Sequence, residues 1–85
     1  MAEERVGVVK KFFSKVSVAA IEVTSGSIAP GDTLLFKGHT TDFKETVKSM
    51  ELDNKPIEKA EPGQLIGIKV KERVREKDVV YKITD

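Results

Sequence analysis

Ile28-Ala29-Pro30-Gly31-Asp32 runs directly into Thr33-Leu34-Leu35-Phe36-Lys37, and Ala60-Glu61-Pro62-Gly63-Gln64 runs directly into Leu65-Ile66-Gly67-Ile68-Lys69-Val70. Proline presets φ for the first central position of a turn, and glycine accepts the positive φ that a type II turn needs next. Each tetrad therefore delivers the chain into an extended segment. Working outward gives six strand candidates: Arg5–Phe12, Val16–Val23, Thr33–Lys37, Phe43–Leu52, Leu65–Val70 and Val79–Ile83. Short strands with turn residues between them read as an all-β domain, a small six-stranded closed barrel of Greek-key-like kind. Closure would also remove the sheet edges that a small β domain must protect.

Several details sharpen that expectation. Leu34, Phe36, Ile66, Ile68 and Val70 are the expected core. Gly7 lies inside the first strand, which suggests a bulge or a close backbone approach. In the fourth strand Val47 and Met50 fall on opposite faces, which a bulge or a change of sheet would reconcile. Val79, Tyr81 and Ile83 share one face of the sixth. The only helix signal is Pro56–Ala60, about one turn long.

The 85 residues suffice for one small domain, 1–85. No cysteine is present, which removes disulfides and thiolate metal sites and fits a reducing cytoplasm. Met1-Ala2-Glu3-Glu4-Arg5 is charged and has no apolar h-region, so no secretory signal is expected. The longest apolar run, Val18-Ala19-Ala20-Ile21, is far below the roughly 20 residues of a membrane span. Lys and Glu richness with a single Asn, Asn54, suggests a heat-adapted source.

Chemistry is poorly represented. His39 is the only histidine, and assembling it with Ser14, Ser17 and Asp42 into a triad has no support from spacing. One His without Cys cannot build a zinc site, and the Asp residues lack EF-hand spacing. The absence of a G-x-x-x-x-G-K-[ST] loop removes GTP binding by this chain alone. No catalytic residue, metal or cofactor is expected.

Net charge is only +1, so attraction to a polyanion must come from local clustering. Lys69, Lys71, Arg73, Arg75 and Lys77 occupy alternate positions, and with Glu72 and Glu76 the stretch carries +3. Extended, it would show five cations on one face, a stripe suited to a phosphate backbone; otherwise it is a solvated outer face. Lys10, Lys11 and Lys15 form a second basic group near Phe12 and Phe13. Consecutive phenylalanines cannot both face one core, so Phe13 is a candidate for stacking on a base or for capping the barrel end.

The order of these motifs resembles the second-domain β-barrel of translation GTPases of the elongation factor Tu type. Gly7-Val8-Val9 is similar to the opening G-x-V strand, and Ile28, Gly31 and Asp32 to the V-x-x-G-D turn. Val47, Ser49 and Met50 are similar to the V-x-S-I strand. Ala60, Gly63, Ile66, Gly67 and Ile68 are similar to the A-x-x-G-D-x-V-G-I strand. Lys77 stands where that family usually has glycine. The loops also resemble stand-alone elongation factor-like proteins and the C-terminal barrel of collagenase-like peptidases that act in RNA modification. The resemblance implies a non-enzymatic module that contacts tRNA, ribosome or an RNA-processing protein. The alternative is a protein-interaction subunit docking in trans on an enzyme that lacks its own barrel.

Overall fold

Both Pro-Gly tetrads form the expected turns. Gly31 has φ +96° and Gly63 φ +92°, values that an L side chain resists. Each turn closes in the same way: the Asp32 amide donates to the Ala29 carbonyl (3.0 Å) and the Gln64 amide to the Glu61 carbonyl (3.2 Å). The side chains answer in the other direction. The Ala29 amide donates to Asp32 Oδ2 and the Glu61 amide to Gln64 Oε1, both at 2.8 Å. Just upstream, Ile28 and Ala60 exchange backbone hydrogen bonds of 3.1 and 2.7 Å, so the two loops brace one another. An added Cβ would meet nothing within 4 Å at either glycine. Alanine there therefore costs only backbone strain: each of Gly31→Ala and Gly63→Ala is expected to lower stability by about 1 kcal/mol in urea titrations. No loss at either site would show that these turns tolerate negative φ.

The computed structural model describes residues 2–84. Eight strands follow in order: β1 (Ala2–Phe13), β2 (Val18–Val23), β3 (Thr33–Lys37), β4 (Asp42–Thr46), β5 (Met50–Leu52), β6 (Lys55–Ile57), β7 (Leu65–Lys69) and β8 (Val79–Thr84). They form one antiparallel sheet in the order β4-β3-β8-β1-β2-β7-β5-β6. The domain is all-β, as expected, but the six-stranded, closed, Greek-key-like barrel is not what forms. The end strands β4 and β6 do not pair with each other among the described residues. The Lys71 amide, just past β7, donates to Glu45 Oε1 of β4 at 2.6 Å, a side-chain link between segments that no ladder joins.

The extra strands have local causes. The run Phe43–Leu52 divides at Val47–Ser49 into β4, which pairs with β3, and β5, which pairs with β7. This break lets both Val47 and Met50 face the core. The segment read as a helix, Pro56–Ala60, forms none, and its first two residues instead complete β6, Lys55–Ile57. Asp53 and Asn54 both take positive φ (53° and 65°), the pattern of a tight primed hairpin turn, and this returns the chain antiparallel to β5. Pro56 is tolerated because β6 is an edge.

β1 is long enough to serve two partners. Its first half pairs with β8 and its second with β2. The register shifts between Arg5 and Gly7 on one side and between Val9 and Lys11 on the other, and such bulges bend a strand and increase its twist. At Gly7 a Cβ would stand 2.6 Å from the Glu22 carbonyl oxygen, the close approach its position suggested. The core holds Leu34, Phe36, Ile66, Ile68 and Val70 as expected, together with Val6, Ile21, Ile28, Met50 and Val74. In β8 it is Val80 that is fully buried, while Val79, Tyr81 and Ile83 on the other face are half-buried. No buried side-chain nitrogen or oxygen lacks a partner among the described residues. No helix there is long and apolar enough to cross a membrane.

Candidate functional site

Strand alternation sends Ile66 and Ile68 inward and so turns Leu65 and Gly67 outward. The same holds in β2, where Ala19, Ile21 and Val23 are buried and Val18 and Ala20 face out. Pairing sets Ala20 beside Gly67 and Phe13 beside Val18. Small residues on adjacent strands leave a trough. A groove of about 430 Å³ forms there, with Val18, Ala20 and Gly67 among its lining and Phe13, Val16 and Leu65 as larger walls. Its far rim carries Glu51, Asp53 and Asn54.

Phe13 (44% exposed), Val16 (57%) and Leu65 (53%) are the exposed large apolar side chains of the described residues, and all three line this groove. Their convergence has a backbone cause. The Val16 amide donates to the Phe13 carbonyl (3.3 Å) and Ser17 takes φ +55°, so the β1–β2 turn folds back on itself. Phe12 points the other way and packs on the core. Lys11 Nζ lies 5.2 Å from the Phe13 ring centroid, within cation–π range.

The basic residues do not form one stripe. β7 ends at Lys69, and 70–78 belongs to no strand, with a bend at 71–72 and a turn at 76–77. Val70 and Val74 are buried, whereas Glu72 and Glu76 are exposed like the cations, so the alternation assumed for a phosphate-tracking face is absent. Lys69 and Lys71 instead join Lys48 around a cleft of about 290 Å³ between the β4–β5 connection and the end of β7. Arg73 and Arg75 join Lys11 in another depression. Lys77 adopts φ +75°, a glycine-like conformation, with its amide bonded to the Val9 carbonyl. Lys10 is paired with Glu22 at 3.4 Å. Val16 and Leu65 were not singled out from sequence. Leu65 was legible there, because placing Ile66 and Ile68 inside leaves it outside.

A catalytic arrangement does not assemble from the residues considered for one. Ser14 and Ser17 lie in the β1–β2 turn and His39 in the exposed β3–β4 turn, and no hydrogen bond links their side chains to one another or to Asp42. Among the described residues no three His, Cys, Asp or Glu side chains come together as a metal-binding group.

Fold and groove together define an antiparallel β domain with an exposed apolar groove. No protein-family model matches the chain. The chain is 42% identical over 81 residues, 94% of its length, to an uncharacterized protease of Methanocaldococcus jannaschii. It is 38% identical over 73 residues, 85% of its length, to a collagenase of Porphyromonas gingivalis. It spans about one fifth of the length of these curated relatives (20%). Its fold matches the C-terminal domain of a Geobacillus thermoleovorans protein described as a U32 peptidase, with a TM-score of 0.88 at 20% identity over 95% of this chain and 93% of that one. A selenomethionine variant of that domain gives a TM-score of 0.85.

The homologues are thus proteins named as proteases and collagenases, which agrees with the collagenase-like part of the resemblance. They overturn the elongation-factor part, and with it the translation-module and RNA-binding readings. The reason lies in the motifs. The V-x-x-G-D and A-x-x-G-D similarities rest on turn glycines and apolar alternation, which a curled antiparallel sheet needs whatever it binds.

Proposed function

We propose that this chain is a non-catalytic accessory domain of the protease and collagenase proteins it resembles, and that it docks through the Phe13–Val16–Leu65 groove on a peptidase body. The observation that carries this reading is the gathering of the exposed large apolar side chains in one groove. Isolated apolar residues on a surface need no explanation, but a contiguous patch marks a contact site. The relatives supply an occupant: four fifths of their length is polypeptide other than the segment matched here. A cysteine-free chain is compatible with a cytoplasmic setting for such an assembly.

The test is calorimetric titration of this chain into the Methanocaldococcus relative produced without its matching segment. One-to-one binding is expected. Leu65→Glu should weaken it at least about tenfold, since burying a leucine contributes about 1.5–3 kcal/mol and a buried unpaired carboxylate costs more. Because Leu65 is already exposed, the variant's melting temperature should stay within a few degrees of the parent. Failure of the wild-type chain to bind, or undiminished binding by Leu65→Glu, would remove the docking role.

A further inference from the structure

On the other side of the β1–β2 turn from the apolar groove lies a cleft of about 480 Å³, lined by Lys11, Phe12, Ser14, Arg73, Val74, Arg75 and Glu76. Three cations face one carboxylate. Among the described residues none of Lys11, Arg73 and Arg75 takes part in an ion pair.

The cleft is held in shape by the backbone. Val74 is fully buried and anchors its segment to the core, with exposed Arg73 and Arg75 on either side of it. The segment is then clamped. The Arg75 amide donates to Oδ2 of buried Asp78, the Lys77 amide to the Val9 carbonyl, and the Val9 amide to the Asp78 carbonyl, each at 2.8 Å. The last two bonds attach at the bulge of β1, beside which Lys10 and Lys11 are both exposed.

We propose that this cleft binds side-chain carboxylates of an acidic protein segment that continues from the apolar anchor in the adjoining groove. The proposal rests on the docking reading and names the chemistry of the partner surface. A guanidinium presents a planar fork of donors that matches a carboxylate, and two arginines with a lysine offer more than one such contact. Phe12 and Val74 give one side of the cleft an apolar wall. Lys11 links the two sites: it lines the cleft, and its ammonium lies over the Phe13 ring that walls the groove. An extended polyphosphate fits less well. It would need a continued run of cations, whereas on the groove side the surface is apolar and ends at Glu51 and Asp53.

The proposal can be read from side-chain 15N resonances. Arg73 and Arg75 are two of only three arginines, so their Nε–H signals are readily assigned. The probes are a peptide of alternating Leu and Ser followed by four Glu, the same peptide ending in four Gln, and an oligouridylate of eight nucleotides. The Glu peptide should shift both signals saturably and bind at least about tenfold more tightly than the Gln peptide, the minimum expected of charge-assisted hydrogen bonds. The double variant Arg73→Gln, Arg75→Gln should bind the two peptides alike, with its backbone spectrum otherwise retained. Equal binding of both peptides by the wild type would overturn the carboxylate site and leave the docking reading standing. Absence of any shift would overturn it too, and the calorimetric experiment decides the docking reading separately. Tighter binding of oligouridylate than of the Glu peptide would make the cleft a polyanion site and overturn the proposal.

Discussion

Replacing Phe36 with alanine is expected to destabilise the domain by about 3–5 kcal/mol. Phe36 is fully buried at 0% exposure in β3, a strand bonded on both sides, to β4 and to β8. It sits directly opposite Phe43, and the rings stack with centroids 5.1 Å apart and an interplanar angle of 16°. Truncation removes apolar contact with the core and also the aromatic pair. Small domains have roughly 5–15 kcal/mol of stability in total, so the variant should be partly unfolded under mild conditions. Phe43→Ala should cost less, because Phe43 lies on the edge strand β4 and keeps 8% exposure. Urea titrations of both variants give the comparison. A loss below about 1 kcal/mol for Phe36→Ala would mean that the core relaxes to fill the space.

Ile68→Ala should follow closely, at about 2–5 kcal/mol. Ile68 is 1% exposed in β7, with Ala19 of β2 on one side and Met50 of β5 on the other. Ala19 is too small to fill the vacated space. Met50 is adaptable, so the outcome depends on how far it can move. Ile68→Val removes one methylene and should cost only about 0.5–1.5 kcal/mol. The denaturant slope should stay constant across the series, because the area exposed on unfolding hardly changes. Equal losses for the valine and alanine variants would show that the site collapses around the truncation.

Strand positions were legible where alternation is strict and turn chemistry explicit. Thr33–Lys37 and Leu65–Lys69 were readable because a Pro-Gly turn precedes each and apolar residues repeat at period two. The Val47–Ser49 break was legible only as a conflict between Val47 and Met50, since the strand change that resolves it depends on which neighbours pair. The turn at Asp53-Asn54 was legible from its short polar residues, which take the left-handed conformation without glycine. The strand after it was not legible, because three residues are too few to show a period. The docking groove was legible in part. Two adjacent phenylalanines pointed to Phe13, but the company of Val16 and Leu65 depends on the fold of the turn and on cross-strand register. The charge alternation from Lys69 to Lys77 misled because periodicity in charge, unlike periodicity in apolar residues, exerts little force on backbone conformation. Two buried valines, Val70 and Val74, set the path instead.

The place of β8 in the sheet bears on how the domain is made. The eighth strand in sequence is not at an edge. It lies between β3 and β1, and through it the β3–β4 hairpin joins the body formed by β1, β2, β7, β5 and β6. As the polypeptide emerges during synthesis, the hairpin and the five-stranded body have no ladder between them until Val79–Thr84 appears. Closing β1 against β8 also draws together residues as distant as Ala2 and Thr84, a pairing that is entropically costly to nucleate. Folding should therefore be late and concerted. Nascent chains that stop before Val79 should remain open to protease, and those that include Thr84 should become resistant in a single step.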